Sequence, residues 1–123
     1  MKPSSTGLNP ACLEHVALRL FVERGLAGDA EGLAELYEPD AVLGFPPGQS
    51  TVGRAAIRAV YERMLAQRPN FRTEESLPTL RWGDLALTGS YSADIVGVRA
   101  QVARRQPDGT WLRIIDRPEV PRP

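Results

Sequence analysis

Residues 98–118 read VRAQVARRQPDGTWLRIIDRP, and this stretch decides the fold class. Two strand-like runs, about Val98 to Gln106 and Thr110 to Pro118, flank the turn-forming residues Pro107-Asp108-Gly109. Strand-like segments on either side of an Asp-Gly turn are typical of a β-hairpin. The carboxyl-terminal part of the chain is therefore predicted to form antiparallel strands.

The length of this turn decides which residues of the hairpin face each other. A two-residue turn at Asp108-Gly109 pairs Gln101 with Asp116, so that the two side chains share one face of the sheet. A three-residue turn that includes Pro107 places Ile115 opposite Gln101 instead. The sequence leaves both registers open.

Upstream of the hairpin, apolar residues recur at steps of three and four, which predicts helices. The first helix is predicted to begin at Asn9 and Pro10, which suit an N-cap and a first helical position. The third is predicted from about Gly53 to Gln67, and its apolar stripe is the clearest in the chain: Ile57, Val60, Tyr61, Met64 and Leu65.

A second, short helix is predicted between these two. Asp29 can cap its amino end, and Leu33, Leu36 and Tyr37 lie on one side of it. It is predicted to stop before Pro39, because the residue before a proline disfavours helical geometry.

The remaining segments have the composition of strands. A short apolar run, Ala41 to Phe45, is followed by Pro and Gly and is predicted to enter a turn. Beyond Pro69 the pattern has period two, and four strands fit, including the hairpin. In the second of these, Leu85, Leu87 and Tyr91 alternate onto one face, which is more apolar than the other.

The summed order is helix, helix, strand, helix, then a meander of antiparallel strands. This order describes an α+β domain whose helices pack on one face of a sheet. A strongly twisted sheet and helices of this size can close around a pocket between them.

Composition excludes several classes of function. The 123 residues carry fifteen basic and fifteen acidic side chains, so no net charge favours nucleic acid or an acidic membrane surface as partner. No run of about 18 apolar residues suggests a membrane span. The single cysteine, Cys12, cannot form an internal disulfide. We therefore expect a cytoplasmic protein of one domain that has no nucleic-acid or membrane partner.

Five short segments, taken in order, resemble the nuclear transport factor 2-like superfamily with its SnoaL-like and ketosteroid-isomerase-like branches. They are Gly28-Asp29 with residues 33–37, Asp40-Ala41-Val42, residues 53–57, residues 83–87 and residues 105–111. The resemblance implies a cone-shaped fold in which three N-terminal helices pack on a curved, mainly antiparallel sheet. It also implies a hydrophobic cavity open at one end and commonly a homodimer that buries the outer sheet face. Residues 1–9 are then a flexible lead-in and residues 10–120 a single SnoaL-like domain.

The same resemblance can be followed to the catalytic positions of the steroid isomerases. The tyrosine of their first helix matches Phe21, which cannot donate a hydrogen bond. Their base position matches Phe45, which cannot take a proton, and their protonated acid falls near Gln101 or Val102. The resemblance therefore argues against isomerisation of the steroid type.

The epoxide hydrolase branch has an Arg and an Asp on a mid-sheet strand and another Asp on the last strand. The first pair falls near Ser90 and Ser92 of this sequence, which are not equivalent. Asp116 is the surviving acid, and it resembles a position that many SnoaL-like proteins keep.

Asp116 and Gln101 are accordingly the predicted catalytic residues. An inward-facing Asp116 would act as a general acid or base, and the Gln101 carboxamide would orient a substrate carbonyl or hold the acid. The alternative is structural: Asp116 forms an ion pair with Arg99, Arg113 or Arg117 at the cavity mouth or a dimer surface.

A further set of residues is predicted to line the ligand cavity: Phe21, Tyr37, Phe45, Tyr61, Met64, Tyr91, Arg99 and Trp111. Apolar residues at helical or strand spacing more often belong to a packed core, and an arginine on a strand, such as Arg99, is more often solvated. The only histidine, His15, has no partner residues nearby in sequence, and no Cys/His cluster predicts a metal site.

Two functions follow from these residues. The first is a SnoaL-like protein that binds a small hydrophobic molecule and acts without a cofactor as an isomerase, cyclase or hydratase through an acidic residue. The second is a non-catalytic ligand-binding or dimeric association module.

Overall fold

The computed structural model describes residues 13–69, 71–72, 74–92 and 97–121. Within these ranges the chain forms three helices and six strands. The helices are α1 (Leu13–Leu26), α2 (Ala30–Ala34) and α3 (Arg54–Ala66). The strands are β1 (Tyr37–Leu43), β2 (Thr51–Val52), β3 (Leu80–Trp82), β4 (Leu85–Tyr91), β5 (Gly97–Arg105) and β6 (Trp111–Pro121).

The strands form one curved sheet in the order β2-β1-β6-β5-β4-β3. The pair β1 and β6 is parallel, and the other neighbouring strands are antiparallel. The helices pack against one face of this sheet, which we call the inner face. The predicted α+β fold class, with helices on a mainly antiparallel sheet, is confirmed.

The core lies between the helices and the inner face. Its largest fully buried apolar side chains come from α2, the connection after it, β1, α3 and β6: Leu33, Leu36, Tyr37, Leu43, Ile57 and Trp111. The stripe predicted for the third helix is confirmed, since Ile57, Val60 and Tyr61 are buried and Met64 and Leu65 pack against the core.

The second helix is shorter than predicted. Asp29 caps it as expected, accepting a hydrogen bond from the Gly32 N–H at 2.9 Å. Tyr37, however, opens strand β1 rather than extending the helix. The reason is tertiary pairing: the Arg113 N–H donates to the Leu36 carbonyl at 2.8 Å and draws this segment alongside β6.

The more apolar face of β4 is not the face that the helices cover. Leu87 and Tyr91 are 46% and 51% exposed, whereas Ala86, Thr88 and Ser90 are buried. Alternation identifies which residues share a face but not which face the helices cover. Thr88 and Ser90 tolerate burial because their hydroxyls have partners inside the protein.

The hairpin joining β5 and β6 combines the two registers that the sequence left open. The Gln106 N–H donates to the Thr110 carbonyl at 2.7 Å across the three residues that include Pro107. Gly109 has φ +87°, a left-handed conformation suited to glycine. An irregularity further along, between Ala103 and Val102, then shifts the pairing by one residue.

Some predictions lie outside the described residues: the helix start at Asn9 and Pro10, Cys12, the side chain of His15 and the flexible lead-in. Among the helices that are described, none is both long and apolar enough to cross a membrane.

Candidate functional site

A cavity of about 270 Å³ lies between the helices and the inner face of the sheet. Its apolar wall consists of Phe21, Val22, Leu43, Phe45, Tyr61, Met64 and Phe71. Its polar wall consists of side chains from β4, β5 and β6: Ser90, Arg99, Gln101, Arg113 and Asp116. Exposed residues, among them Arg72 and Glu119, also line it, so the cavity has a buried floor and a rim in contact with solvent.

Asp116 is the buried acid of the polar wall, with 3% of its surface exposed. Its Oδ2 accepts a hydrogen bond of 2.5 Å from the Tyr37 hydroxyl and lies 3.5 Å from Nη1 of Arg113. Its Oδ1 is buried and has no hydrogen-bond partner among the described residues. One oxygen of the carboxylate is therefore held in place while the other lacks a donor.

Arg113 supplies the positive charge beside Asp116. Its guanidinium lies over the rings of Phe21 and Tyr37, 5.3 and 5.8 Å from their centroids. Burial lowers the pKa of Arg113, but its interactions with Tyr37 and Asp116 outweigh that effect and raise the pKa overall. The guanidinium is thus a permanent cation at the floor of the cavity, stabilised by aromatic faces and by the carboxylate.

A β-bulge brings this ion pair together. Residues three apart on a regular strand point to opposite faces of a sheet. In β6, Arg113 pairs with Ala103 and Ile115 pairs with Val102, so Ile114 is the extra residue. The bulge turns both Arg113 and Asp116 to the inner face.

Two buried tyrosines extend the network toward α3. The hydroxyls of Tyr37 and Tyr61 are 2.7 Å apart. Burial, reinforced by the negative charge of Asp116, raises the pKa of both phenols well above 10. Both therefore remain protonated hydrogen-bonding groups under ordinary conditions.

Gln101 faces Asp116 across the β5–β6 ladder, as one of the two predicted registers required. Its Oε1 accepts a hydrogen bond of 3.0 Å from the Thr88 hydroxyl on β4. The carboxamide is therefore oriented by β4 and stands next to the acid on the inner face.

A second ion pair lies on the same wall. Glu74, whose side chain is only 7% exposed, binds Arg99 at 2.9 Å and accepts a hydrogen bond of 2.9 Å from the Ser90 hydroxyl. Arg99 also donates to the Pro118 carbonyl at 2.8 Å. This arginine is part of the cavity wall, and the charge on it is balanced by Glu74.

The structure brings most of the predicted site residues together. Asp116, Gln101, Phe21, Phe45, Tyr61, Met64 and Arg99 all line the cavity. Tyr37 is fully buried and takes part through its hydroxyl bond to Asp116. The structural alternative for Asp116 is realised in part, because it does pair with Arg113, but at the cavity floor.

Three predicted lining residues do not line the cavity: Tyr37, which contributes only through its bond to Asp116, and Trp111 and Tyr91. Trp111 is completely buried in the core and does not reach the cavity. Tyr91 lies on the opposite, outer face of the sheet, because β4 buries the face that carries Thr88 and Ser90. Both residues were assigned to the cavity without knowledge of their surroundings. Trp111 is enclosed by other core side chains, and Tyr91 lies on the face of β4 that the helices do not cover.

Sequence reasoning missed Glu74 and Phe71. Glu74 lies between α3 and β3, where the sequence has no periodicity to indicate its direction. Phe71 sits directly against α1, 5.6 Å from the ring of Phe21. Gly25 on α1 carried a signal for this contact, since only a residue without a side chain allows an aromatic ring so close to the helix.

The described residues contain no group of three or more His, Cys, Asp or Glu side chains placed to hold a metal ion. What the wall does offer is a buried carboxylate, a carboxamide and an adjacent cation. Such a set can bind a polar group and transfer a proton.

Comparison with known families yields one match, the SnoaL-like domain, over residues 18–116. No protein of curated function matches the chain.

Solved structures share the fold at low sequence identity. A protein from Thiobacillus denitrificans, provisionally assigned as a calcium/calmodulin-dependent protein kinase type II association domain, is similar with a TM-score of 0.68 at 16% identity, covering 97% of this chain and 100% of that one. A ketosteroid isomerase-like protein from Erwinia carotovora atroseptica has a TM-score of 0.65 at 16% identity, covering 88% and 95%. A protein of the nuclear transport factor 2-like family from Streptomyces avermitilis, provisionally assigned as a dehydratase, has a TM-score of 0.59 at 23% identity, covering 86% of this chain and 93% of that one.

Proposed function

The chain belongs to the SnoaL-like branch of the nuclear transport factor 2-like superfamily, and on that premise we propose that its cavity binds a small, largely apolar molecule on which Asp116 performs cofactor-free acid–base chemistry. The observation that carries the proposal is the position and hydrogen bonding of the Asp116 carboxylate. Asp116 lies in the cavity wall, its Oδ2 is held by Tyr37, and its buried Oδ1 has no donor among the described residues.

The wall suits this role chemically. Arg113 and the Tyr37 hydroxyl stabilise a negative charge on Asp116, so the carboxylate can reside in a largely apolar cavity. Oδ1 is then the oxygen that accepts a proton from the ligand and returns it. Isomerisation and cyclisation of carbonyl compounds use this step, the removal of a proton from the carbon beside a carbonyl, and hydration of an unsaturated carbonyl compound uses its reverse.

The apolar wall supports the size and polarity of the ligand. Phe21, Phe45 and Phe71 face the polar wall across a volume near the lower end of the range for small-molecule pockets. A single ring or short chain with one polar end matches this division, with the ring against the aromatic side chains and the polar end against β5 and β6.

Proton exchange tests the chemistry before any natural substrate is known. The protein is incubated in heavy water with cyclohexanone and with 3-hydroxycyclohexanone, and loss of the α-proton signals is followed by NMR. We expect faster exchange than in buffer, and about a 100-fold or greater reduction in Asp116→Asn, in line with the contribution of a positioned base. Asp40→Asn is the matched control, because Asp40 is exposed and outside the cavity wall.

The outcome that contradicts the proposal is equally concrete. Exchange of either ketone at the same rate in wild type and Asp116→Asn would remove the acid from the chemistry. Binding of the ketones in the cavity without any exchange would favour the second function, a non-catalytic ligand-binding module.

We further propose that two copies of the chain associate through the outer face of the sheet. Four large apolar side chains on this face are exposed by 46 to 82%: Leu80, Trp82, Leu87 and Ile115. The strand pairing places them side by side, with Leu80 opposite Leu87. Contiguous exposed apolar surface is typical of an interaction site, and the name of the Thiobacillus relative includes association.

Sedimentation tests the association. We expect a dimer for the wild-type chain and a monomer for Leu87→Arg. Leu26→Arg is the control, because Leu26 is 68% exposed but lies at the end of α1, away from the sheet. A monomeric wild-type protein, or a dimer unaffected by Leu87→Arg, contradicts this interface.

A further inference from the structure

The hydrogen bonds within the polar wall determine which hydrogen-bond donors and acceptors a ligand must carry. Tyr37 has one hydroxyl proton, and it is donated to Oδ2 of Asp116. The 2.7 Å contact between Tyr37 and Tyr61 must therefore use the proton of Tyr61. Both phenols keep their protons, because burial raises their pKa values. Neither tyrosine has a proton left to donate to a ligand.

The other two hydroxyls of the wall are used in the same way. Thr88 donates to Oε1 of Gln101 at 3.0 Å, and Ser90 donates to Oε1 of Glu74 at 2.9 Å. Because Thr88 occupies the oxygen of the carboxamide, Gln101 presents its Nε2, a donor, as the free end.

Two complementary groups thus remain side by side. Oδ1 of Asp116 is a buried acceptor without a donor among the described residues. Nε2 of Gln101 is a donor, and the two residues are direct cross-strand partners on the inner face. Such partners have Cβ atoms about 5 Å apart. A ligand that satisfies both must carry a donor and an acceptor a few bonds apart.

Charge limits the class further. The cavity is lined by three arginines and three acidic residues: Arg72, Arg99 and Arg113, with Glu74, Asp116 and Glu119. At the floor, Arg113 pairs with Asp116 and Arg99 with Glu74. The balanced wall has no net charge to offset a charged ligand, which favours a neutral one.

From these observations we infer that the ligand is a neutral β-hydroxycarbonyl compound, whose hydroxyl donates to Oδ1 of Asp116 and whose carbonyl accepts from Nε2 of Gln101. The inference rests on the proposed function and specifies its substrate class. A hydroxyl and a carbonyl separated by one carbon supply the donor and the acceptor at the required spacing. The carbon between them bears the proton that Asp116 would remove.

In such a compound the proposed step is the loss of water. Oδ1 of Asp116 takes the proton from the carbon between the two groups, and the electrons of that C–H bond form the new C=C bond. The C–O bond to the hydroxyl breaks, and the hydroxyl leaves with the proton returned from Oδ1. The carboxylate is regenerated, so the reaction needs no oxidant, reductant or cofactor.

Binding of three matched probes tests the inference with the full chain. The probes are 3-hydroxycyclohexanone, cyclohexanone, which lacks the hydroxyl, and cyclohexanol, which lacks the carbonyl. Dissociation constants are measured by NMR titration. We expect the hydroxyketone to bind about tenfold more tightly than either parent, since cyclohexanone leaves Oδ1 of Asp116 unpaired and cyclohexanol leaves Nε2 of Gln101 unpaired.

Two variants assign each preference to its residue. Gln101→Leu should lose the preference for the hydroxyketone over cyclohexanol and keep its preference over cyclohexanone. Asp116→Leu should do the opposite, because leucine offers no hydrogen-bond partner to the hydroxyl while Gln101 still binds the carbonyl. Circular dichroism verifies that each variant is folded, and the wild-type comparison stands without either variant.

Each outcome decides the matter. Equal affinity of wild type for the hydroxyketone and cyclohexanone, or no saturable binding of the hydroxyketone, overturns the inference. If cyclohexanone nevertheless binds and its α-proton exchange depends on Asp116, the proposed function remains supported although the inferred substrate class is wrong. If the hydroxyketone is preferred but Asp116→Asn does not change α-proton exchange, the binding class stands and the proposed chemistry fails.

Discussion

Replacing Arg113 with methionine tests whether the buried ion pair governs the stability of the cavity floor. Arg113 and Asp116 are 4% and 3% exposed, and their charged atoms are 3.5 Å apart. At an effective dielectric constant of about 20, two charges at that separation attract by about 5 kcal/mol. Methionine fills much of the volume of the arginine but leaves the carboxylate of Asp116 without its cation.

The expected loss in the free energy of unfolding is about 3–5 kcal/mol at pH 7, the range for breaking one side of a buried pair. A domain of this size has about 5–15 kcal/mol in total, so the variant should remain folded but be clearly destabilised. Urea unfolding followed by circular dichroism measures the difference.

The double variant Arg113→Met with Asp116→Leu makes the test specific. It removes both charges, and we expect its stability to lie within about 2 kcal/mol of wild type, since apolar pairs often replace buried ion pairs at little cost. Arg58→Met is the control. Arg58 lies 3.0 Å from Glu31, closer than the buried pair, but both side chains are about half exposed or more, so its loss should cost at most about 1 kcal/mol.

Two results would refute this reasoning. A cost below about 1 kcal/mol for Arg113→Met would mean that solvent reaches Asp116 freely. The single variant Asp116→Leu completes the cycle, and a double variant whose loss equals the sum of the losses in Arg113→Met and Asp116→Leu would mean that the charges are not coupled.

Two further predictions concern the tyrosines and the packing of Phe71. In a Tyr91→Phe variant, where Tyr37 and Tyr61 remain, phenolate absorbance should stay absent in the folded protein as the pH rises past 10. Their raised pKa values mean that unfolding alone releases these protons, so stability is present below pH 10 and falls as the pH rises above it; reversible phenolate formation with unchanged circular dichroism would contradict this. Gly25→Ala should cost about 1–3 kcal/mol, because a Cβ there would lie 2.5 Å from the Phe71 ring. Urea unfolding should show little further cost when Gly25→Ala is added to Phe71→Ala, and an undiminished cost would place the strain elsewhere.

Periodicity predicted the parts of the fold that depend on one buried face. The third helix matches its predicted range within a residue at each end, with Gly53 and Gln67 as its caps. Its stripe is strong because one face of this helix is buried and the rest is exposed to solvent. The length of the second helix was overestimated, because Tyr37 pairs with Arg113 as part of strand β1. Residues so distant in sequence leave no local pattern that could predict their pairing.

The covered face of β4 could not be derived from alternation. Its outer residues, including Leu87 and Tyr91, are more apolar than the buried Thr88 and Ser90. A polar row is buried here because each hydroxyl has a protein partner, and those partners come from distant parts of the chain. Apolar residues on the other face are consistent with the proposed association of two copies.

In the candidate site, too, the features set by neighbouring residues in the sequence could be predicted, and those set by contacts between distant residues could not. A two-residue turn was the predicted route to the pairing of Gln101 with Asp116, yet the turn has three residues and the bulge at Ile114 restores that pairing. The bulge also puts Arg113 beside the acid, which simple alternation would place on the opposite face. Counting cross-strand partners outward from the turn therefore identifies a candidate acid but not its counter-ion. The counter-ion depends on the position of the β-bulge, which the sequence does not indicate.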